Sequence, residues 1–168
     1  MKFMLDTDIC ICMIRQAPRL VLDHLNRTSP ADVCISAITL SELEYGAFKS
    51  ARPEQNRMRL AEFIAPLQVV PYETAAAAEY GSLRTALEQQ GNLIGPLDML
   101  IAAHALALDC ALVTNNESEF SRVPGLRVLN WAKEKPDDEL VNEQPAGYVG
   151  TSRRTNRQES ARLDRHRC

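Results

Sequence analysis

The sequence predicts an α/β protein, a parallel sheet packed between helices in three α/β/α layers. Short, continuously apolar runs such as Phe3-Met4-Leu5 and Val33-Cys34-Ile35 suit strands covered on both faces rather than half-solvated ones. Longer stretches with apolar residues at helical spacing separate these runs. Regular alternation of the two kinds implies parallel strands joined through crossover helices.

The first strand, Lys2-Phe3-Met4-Leu5, ends abruptly at Asp6 and Asp8, either of which can cap a short helix from Ile9 to about Arg15. Pro18 opens a second helix with Leu20, Val21 and Leu25 on one face, and Thr28-Ser29-Pro30 is a loop. The second strand covers residues 33–38. Thr39-Leu40-Ser41-Glu42 then has the spacing of a capping box and starts a helix to about Lys49. On that reading Glu42 only bonds back to the backbone N–H of Thr39.

An amphipathic helix over 54–65 turns Met58, Ala61, Phe63 and Ile64 inward and stops at Pro66, before a third strand at 67–70. Thr74 caps a helix from Ala75 to Gln89, with Ala76, Tyr80, Leu83 and Leu87 in register and Gly91 just past its end. Pro96 suits the first turn of a helix over 97–108, whose Leu97, Leu100, Ile101, His104 and Leu108 form one stripe. His104 there reads as a core histidine with its polar needs met. A fourth strand at 110–113 runs into Thr114-Asn115-Asn116-Glu117, and a fifth, edge strand covers 126–129, with Trp131 closing the core. The domain is expected over residues 1–132. Residues 133–168 are polar, hold Pro136, Pro145, Gly147 and Gly150, and are expected to be a disordered tail.

Composition narrows the function classes. No apolar run approaches the ~20 residues of a membrane span, and Met1-Lys2 leads straight into a strand, so a cytoplasmic protein is expected. Five cysteines, with Cys10 and Cys12 only two apart, fit reduced thiols better than a zinc site or a disulfide framework. The net charge of −3 is not that of a protein holding nucleic acid by charge alone. Residues 1–132 hold 11 Lys and Arg against 15 Asp and Glu; if several of those acids converge on one site the remaining surface is mildly basic, so a nucleic-acid partner is permitted but not demanded by charge.

Topology provides such a convergence. In open parallel sheets ligands bind outside the carboxyl ends of the strands. Asp6, Glu42 and Asn116 each fall just after a different predicted strand, and Asp98 joins that rim if the 92–96 loop crosses over it. Oxygen donors without cysteine or suitably spaced histidine favour Mg²⁺ or Mn²⁺ over zinc, a chemistry suited to phosphodiester hydrolysis.

Four segments together resemble the PIN-domain family, and within it the VapC-type toxin ribonucleases. They are Met4-Leu5-Asp6-Thr7; Ser36-Ala37-Ile38-Thr39-Leu40-Ser41-Glu42-Leu43 with Tyr45-Gly46; Gly95-Pro96-Leu97-Asp98 with Ile101-Ala102; and Val113-Thr114-Asn115-Asn116 with Glu119-Phe120. The resemblance implies Mg²⁺-dependent endonucleolytic cleavage of RNA, with Asp6, Glu42 and Asp98 as metal ligands and Asn116 at a fourth catalytic position. Thr7 and Thr114 would orient carboxylates. Asn116 departs from the commoner Asp, which leaves Glu117 or Glu119 as substitutes. The resemblance also implies a homodimer held in check by a small antitoxin, and it turns Glu42 from a cap into a ligand.

Arg15, Lys49 and Arg84 are the basic residues nearest the predicted rim and candidates to hold the RNA backbone. Two other readings compete: a metal-poor PIN-like scaffold that only binds RNA or a partner, and a haloacid-dehalogenase-like phosphatase with Asp6 as nucleophile.

Overall fold

The computed structural model describes residues 1–16 and 18–133; the expected tail lies outside the described residues, apart from Lys133. The elements are β1 (Phe3–Leu5), α1 (Thr7–Gln16), α2 (Arg19–Arg27), β2 (Val33–Ser36), α3 (Ala37–Phe48), α4 (Pro53–Ile64), β3 (Gln68–Val70), α5 (Thr74–Gln90), α6 (Pro96–Ala107), β4 (Ala111–Val113), the single turn α7 (Glu117–Phe120) and β5 (Val128–Leu129). The five strands pair in the order β3-β2-β1-β4-β5, every pair parallel. The order reverses on either side of β1, so the crevice between the ends of β1 and β4 is the topological switch point of the sheet.

Alternation along the strands divides the core in two. Phe3 and Leu5 face one way with Val33, Ile35, Ala111 and Val113, under α1 to α4 and Trp131. Met4 faces the other way with Cys34 and Leu112, under α5 and α6. A sheet buried on both faces needs the continuous apolar runs that the sequence carries. Trp131 does close the core: it is 2 % exposed, stacks on His24 at 5.1 Å and meets the edge of Phe3 at 5.4 Å. Among the described residues, no helix is long and apolar enough to cross a membrane.

Several expectations change in detail. The second strand stops at Ser36, whose Oγ accepts the Ile38 backbone N–H and caps α3, so Ala37 and Ile38 are already helical. Thr39 therefore lies inside the helix, and the expected capping box is not formed. Thr74 is likewise the first residue of α5, after Glu73 at the cap position. On α4 it is Leu60 that is buried, while Met58 is 66 % exposed and Ala61 also faces out. Leu97 is exposed on α6, and the buried set there is Met99, Ile101, Ala102, Ala103, His104 and Ala105. Being covered on most sides, α6 carries alanines where a stripe analysis looks only for large side chains. The fifth strand is confined to Val128 and Leu129, at the sheet edge. Gly91 adopts the left-handed conformation that ends α5, as its position implies.

His104 is a core histidine with its polar needs met. Its Nδ1 lies 2.9 Å from Ser36 Oγ, and its ring meets Tyr72 edge-on at 5.3 Å. The cap of α3 thereby also fixes α6 against the end of β2. Cys10, Cys12, Cys34 and Cys110 are free thiols.

Candidate active site

β1 pairs centrally in the sheet, which delivers Asp6 to the switch point with 3 % exposure. Its backbone N–H donates to the Val113 carbonyl at 2.9 Å, locking the ends of β1 and β4 together. Thr114 Oγ1 donates to Asp6 Oδ2 at 2.7 Å and accepts the Asn116 backbone N–H at 2.9 Å. Asp6 Oδ1 is buried and, among the described residues, has no hydrogen-bond partner. A buried carboxylate oxygen without a donor is costly, and a cation or water offsets that cost.

Other acids act on it through their charge. Burial pushes the Asp6 carboxyl up to about 6, Thr114 and the Thr7 backbone N–H hold it back, and the charges of Asp8 and Asp98 add to the rise. Asp98 is raised as well, first by burial and then by Glu42, Asp8 and Glu119. Mutual repulsion of this kind requires the carboxylates to share one region, so the α6 start does reach the rim after β1 and β4. Gly95 makes room for it: a Cβ at Gly95 would stand 2.9 Å from Asp98 Oδ2.

Glu42 is half-buried on α3, and Thr7 Oγ1, from the first residue of α1, donates to its Oε2 at 2.5 Å. Each of the two carboxylates is thus held by a threonine from a different element. The hydroxyl of Thr7 replaces the capping interaction that spacing alone suggested for Glu42.

The remaining candidates separate. Asn116 caps α7; its Oδ1 accepts from Ser118 Oγ at 3.3 Å, and its backbone, not its side chain, joins the Thr114 network. Glu117 turns away, to Asn130 Nδ2 and to Lys133 Nζ at 2.7 Å, which withdraws it as a substitute acid. Glu119 faces the site closely enough to act on Asp98, though it also pairs with Arg122 at 3.4 Å. Asp8 is exposed in the first turn of α1. Arg84 is committed to Glu88 at 2.8 Å and to the Tyr80 hydroxyl at 3.0 Å, and Lys49 lies over the Tyr45 ring at 5.4 Å. Arg15 alone of the three lines a cleft shared with Glu42. That cleft also contains Arg59, which no motif singled out because an exposed arginine on an amphipathic helix has no sequence signature of its own.

Among the described residues no three His, Cys, Asp or Glu side chains are already drawn close enough to hold one ion. The donor set nevertheless suits a hard divalent cation: all oxygen, mutually repelling, with one buried oxygen lacking a partner.

The sequence profile of the PIN domain matches residues 3–126. The tRNA(fMet)-specific endonuclease VapC of Shigella flexneri is 44% identical over 132 residues, covering 79% of this chain and 99% of that protein. Among solved structures, DNA-bound VapBC from Salmonella typhimurium superposes with a TM-score of 0.75 at 44% identity, over 78% of this chain and 98% of the matched one. VapBC2 from Rickettsia felis, bound to a DNA fragment from its promoter, gives a TM-score of 0.74 at 41% identity, over 78% and 99%.

Proposed function

The chain belongs to the PIN-domain family, among its VapC-type toxin–antitoxin members, and from that premise we propose that it is an Mg²⁺-dependent endoribonuclease acting as the toxin of such a pair. The observation that supports the reading best is the buried, unpartnered Oδ1 of Asp6 at the switch point, beside acids that repel one another. Among the described residues Thr39 Oγ1 and Glu44 Oε2 are also buried without a hydrogen-bond partner, but Glu44 has the Arg57 guanidinium at 3.7 Å, whereas the charges nearest Asp6 are other acids.

Asp6, Glu42 and Asp98 would hold the ion, Mg²⁺ or Mn²⁺. When bound it acidifies water and offsets charge on the phosphoryl group. Thr114 holds Asp6 and Thr7 holds Glu42 in the orientation the site needs, at hydrogen-bond lengths of 2.7 and 2.5 Å. A carboxylate of the cluster, Asp6 or Asp98, would help take the proton of the attacking water. Asn116 carries no charge and its Oδ1 already accepts from Ser118, so one ion is better supported than two, with Glu119 the nearer additional acid.

The substrate class follows the relative named a tRNA(fMet)-specific endonuclease. The antitoxin partner follows the VapBC complexes, in which the similar chain is solved with its pair. Tyr45, Phe48 and Met58 stand exposed on α3 and α4, 65 %, 59 % and 66 % open, a surface of the kind that protein partners cover. A homodimer working in the cytoplasm completes the reading. The phosphatase alternative loses its basis with the family match, and β4 is followed by Asn115-Asn116 rather than an acidic pair.

Antitoxin-free protein should cut RNA in Mg²⁺ and stop in EDTA. Intact RNA in both Mg²⁺ and Mn²⁺ would favour the metal-poor binding scaffold, the reading that the Asn116 departure supports. A second expected outcome concerns Gly95→Ala. Its φ of −53° and ψ of 143° are open to alanine, so the fold should lose less than about 1 kcal/mol. The new Cβ displaces Asp98, and cleavage should fall several-fold, read as kcat against a melting curve. Unchanged kcat would take Asp98 out of the reaction.

A further inference from the structure

Acids that gather a cation at the scissile phosphate create a difficulty for the rest of an RNA strand, because they repel its neighbouring phosphates. The strand needs counter-charge close to the acids but off them. The cleft of 270 Å³ between α1, α3 and α4 meets that need. Its lining includes apolar Ile11, Leu43 and Leu60 together with Arg15, Glu42, Asn56 and Arg59.

Both arginines are exposed, and neither makes an ion pair among the described residues. Arg57, two residues from Arg59, is by contrast paired with Glu44 at 3.7 Å and lies over Phe48 at 4.6 Å. Arg84, Arg122 and Arg127 are likewise occupied by Glu88, Glu119 and Asp109. Arg15 and Arg59 thus bring two guanidinium groups without an ion pair among the described residues, from different helices, to one cleft that Asn56 and Glu42 also line.

We propose that this cleft seats the phosphodiester backbone of single-stranded RNA next to the scissile bond, with Arg15 and Arg59 as its counter-charges and Asn56 as its neutral hydrogen-bonding contact. The apolar part of the lining takes the face of a ribose or base. The inference rests on the nuclease reading for the substrate, and it makes Arg59 and Asn56 binding residues that hold the strand in line with Asp6 and Asp98.

The test is direct binding of a fluorescent single-stranded RNA to the Asp6→Asn protein, which needs no turnover, over a range of NaCl concentrations. Arg15→Ala and Arg59→Ala should each weaken binding several-fold and make the slope of log affinity against log salt shallower by about 0.7. Arg59→Lys should keep the slope, which separates lost charge from a disturbed helix, and melting curves of each variant check the fold. An unchanged affinity and slope in both alanine variants overturns the proposal even where the wild type cuts RNA. Unchanged RNA binding together with weakened binding of an acidic, leucine-containing peptide also overturns it, in favour of a protein occupant. If the wild type fails to cut in Mg²⁺ or Mn²⁺ yet the slopes shift as stated, the nuclease reading falls and the cleft stands as an RNA-binding site.

Discussion

Asp6→Asn is expected to abolish RNA cleavage and at the same time to make the metal-free protein more stable. The first effect, on the order of 10³-fold in kcat, is the scale of removing one preorganised electrostatic group from a reaction centre. The second follows from the burial that makes Asp6 useful. Raising its carboxyl from an ordinary 3.8 to about 6 costs the folded state about 3 kcal/mol once the group is ionised. A folded-state value above the unfolded one means that the folded protein binds the extra proton between these limits. The cost is therefore absent below about pH 4, grows as pH rises, and is fully present above about 6. Asparagine keeps the shape and removes the charge, so part of that cost should return as stability at pH 7.5 in EDTA, less whatever its amide N–H groups fail to find. Mg²⁺ should raise the melting temperature of the wild type and not of the variant, because only the wild type binds it through this carboxylate. Urea titrations at pH 5 and pH 7.5, with and without Mg²⁺, check all of this. A variant less stable than wild type at pH 7.5 in EDTA would show that Asp6 is already neutralised by some other group.

The strand ends were the legible part of this site, because a central parallel strand is apolar throughout and its first polar residue announces the rim. That holds for Phe3-Met4-Leu5 before Asp6 and for Ala111-Leu112-Val113 before Thr114. Asp98 was legible only as a carboxylate in a first helical turn, where the helix dipole already explains it; what gathers it with Glu42 is the crossing of α6 behind the sheet, a long-range fact. Glu42 was misread by spacing, since Thr39 at i and Glu42 at i+3 satisfy a capping pattern while the real cap sits one turn earlier at Ser36. Ser36 was hidden because a serine at the end of an apolar strand serves strand, cap and core histidine alike. The outward turn of Met58 and Leu97 has a common cause: hydrophobicity marks which residues can be buried, and the neighbouring elements decide which are.

Thr114→Val separates the positioning of Asp6 from its chemistry. Valine matches threonine in shape but offers neither donor nor acceptor, so both bonds of the buried Oγ1 are lost at once: 2.7 Å to Asp6 and 2.9 Å from the Asn116 N–H. Each buried group left without a partner costs about 1–3 kcal/mol, which puts the loss of fold stability at roughly 2–6 kcal/mol. The hydroxyl is the strongest influence holding the Asp6 carboxyl down against burial, so its removal moves that carboxyl further up. By linkage the penalty falls mainly on the ionised form, and the variant should be more destabilised at pH 8 than at pH 5. Activity should respond with the acidic limb of its pH profile displaced upward: a loss of about tenfold in kcat/KM at pH 6.5 that largely recovers at pH 8.5 in protein still folded. Thr114→Ser, which restores the hydroxyl, should recover both the limb and most of the stability. A valine variant that loses activity equally at every pH, or a serine variant that fails to rescue, would mean that Thr114 matters to the packing of β4 and not to the ionisation of Asp6.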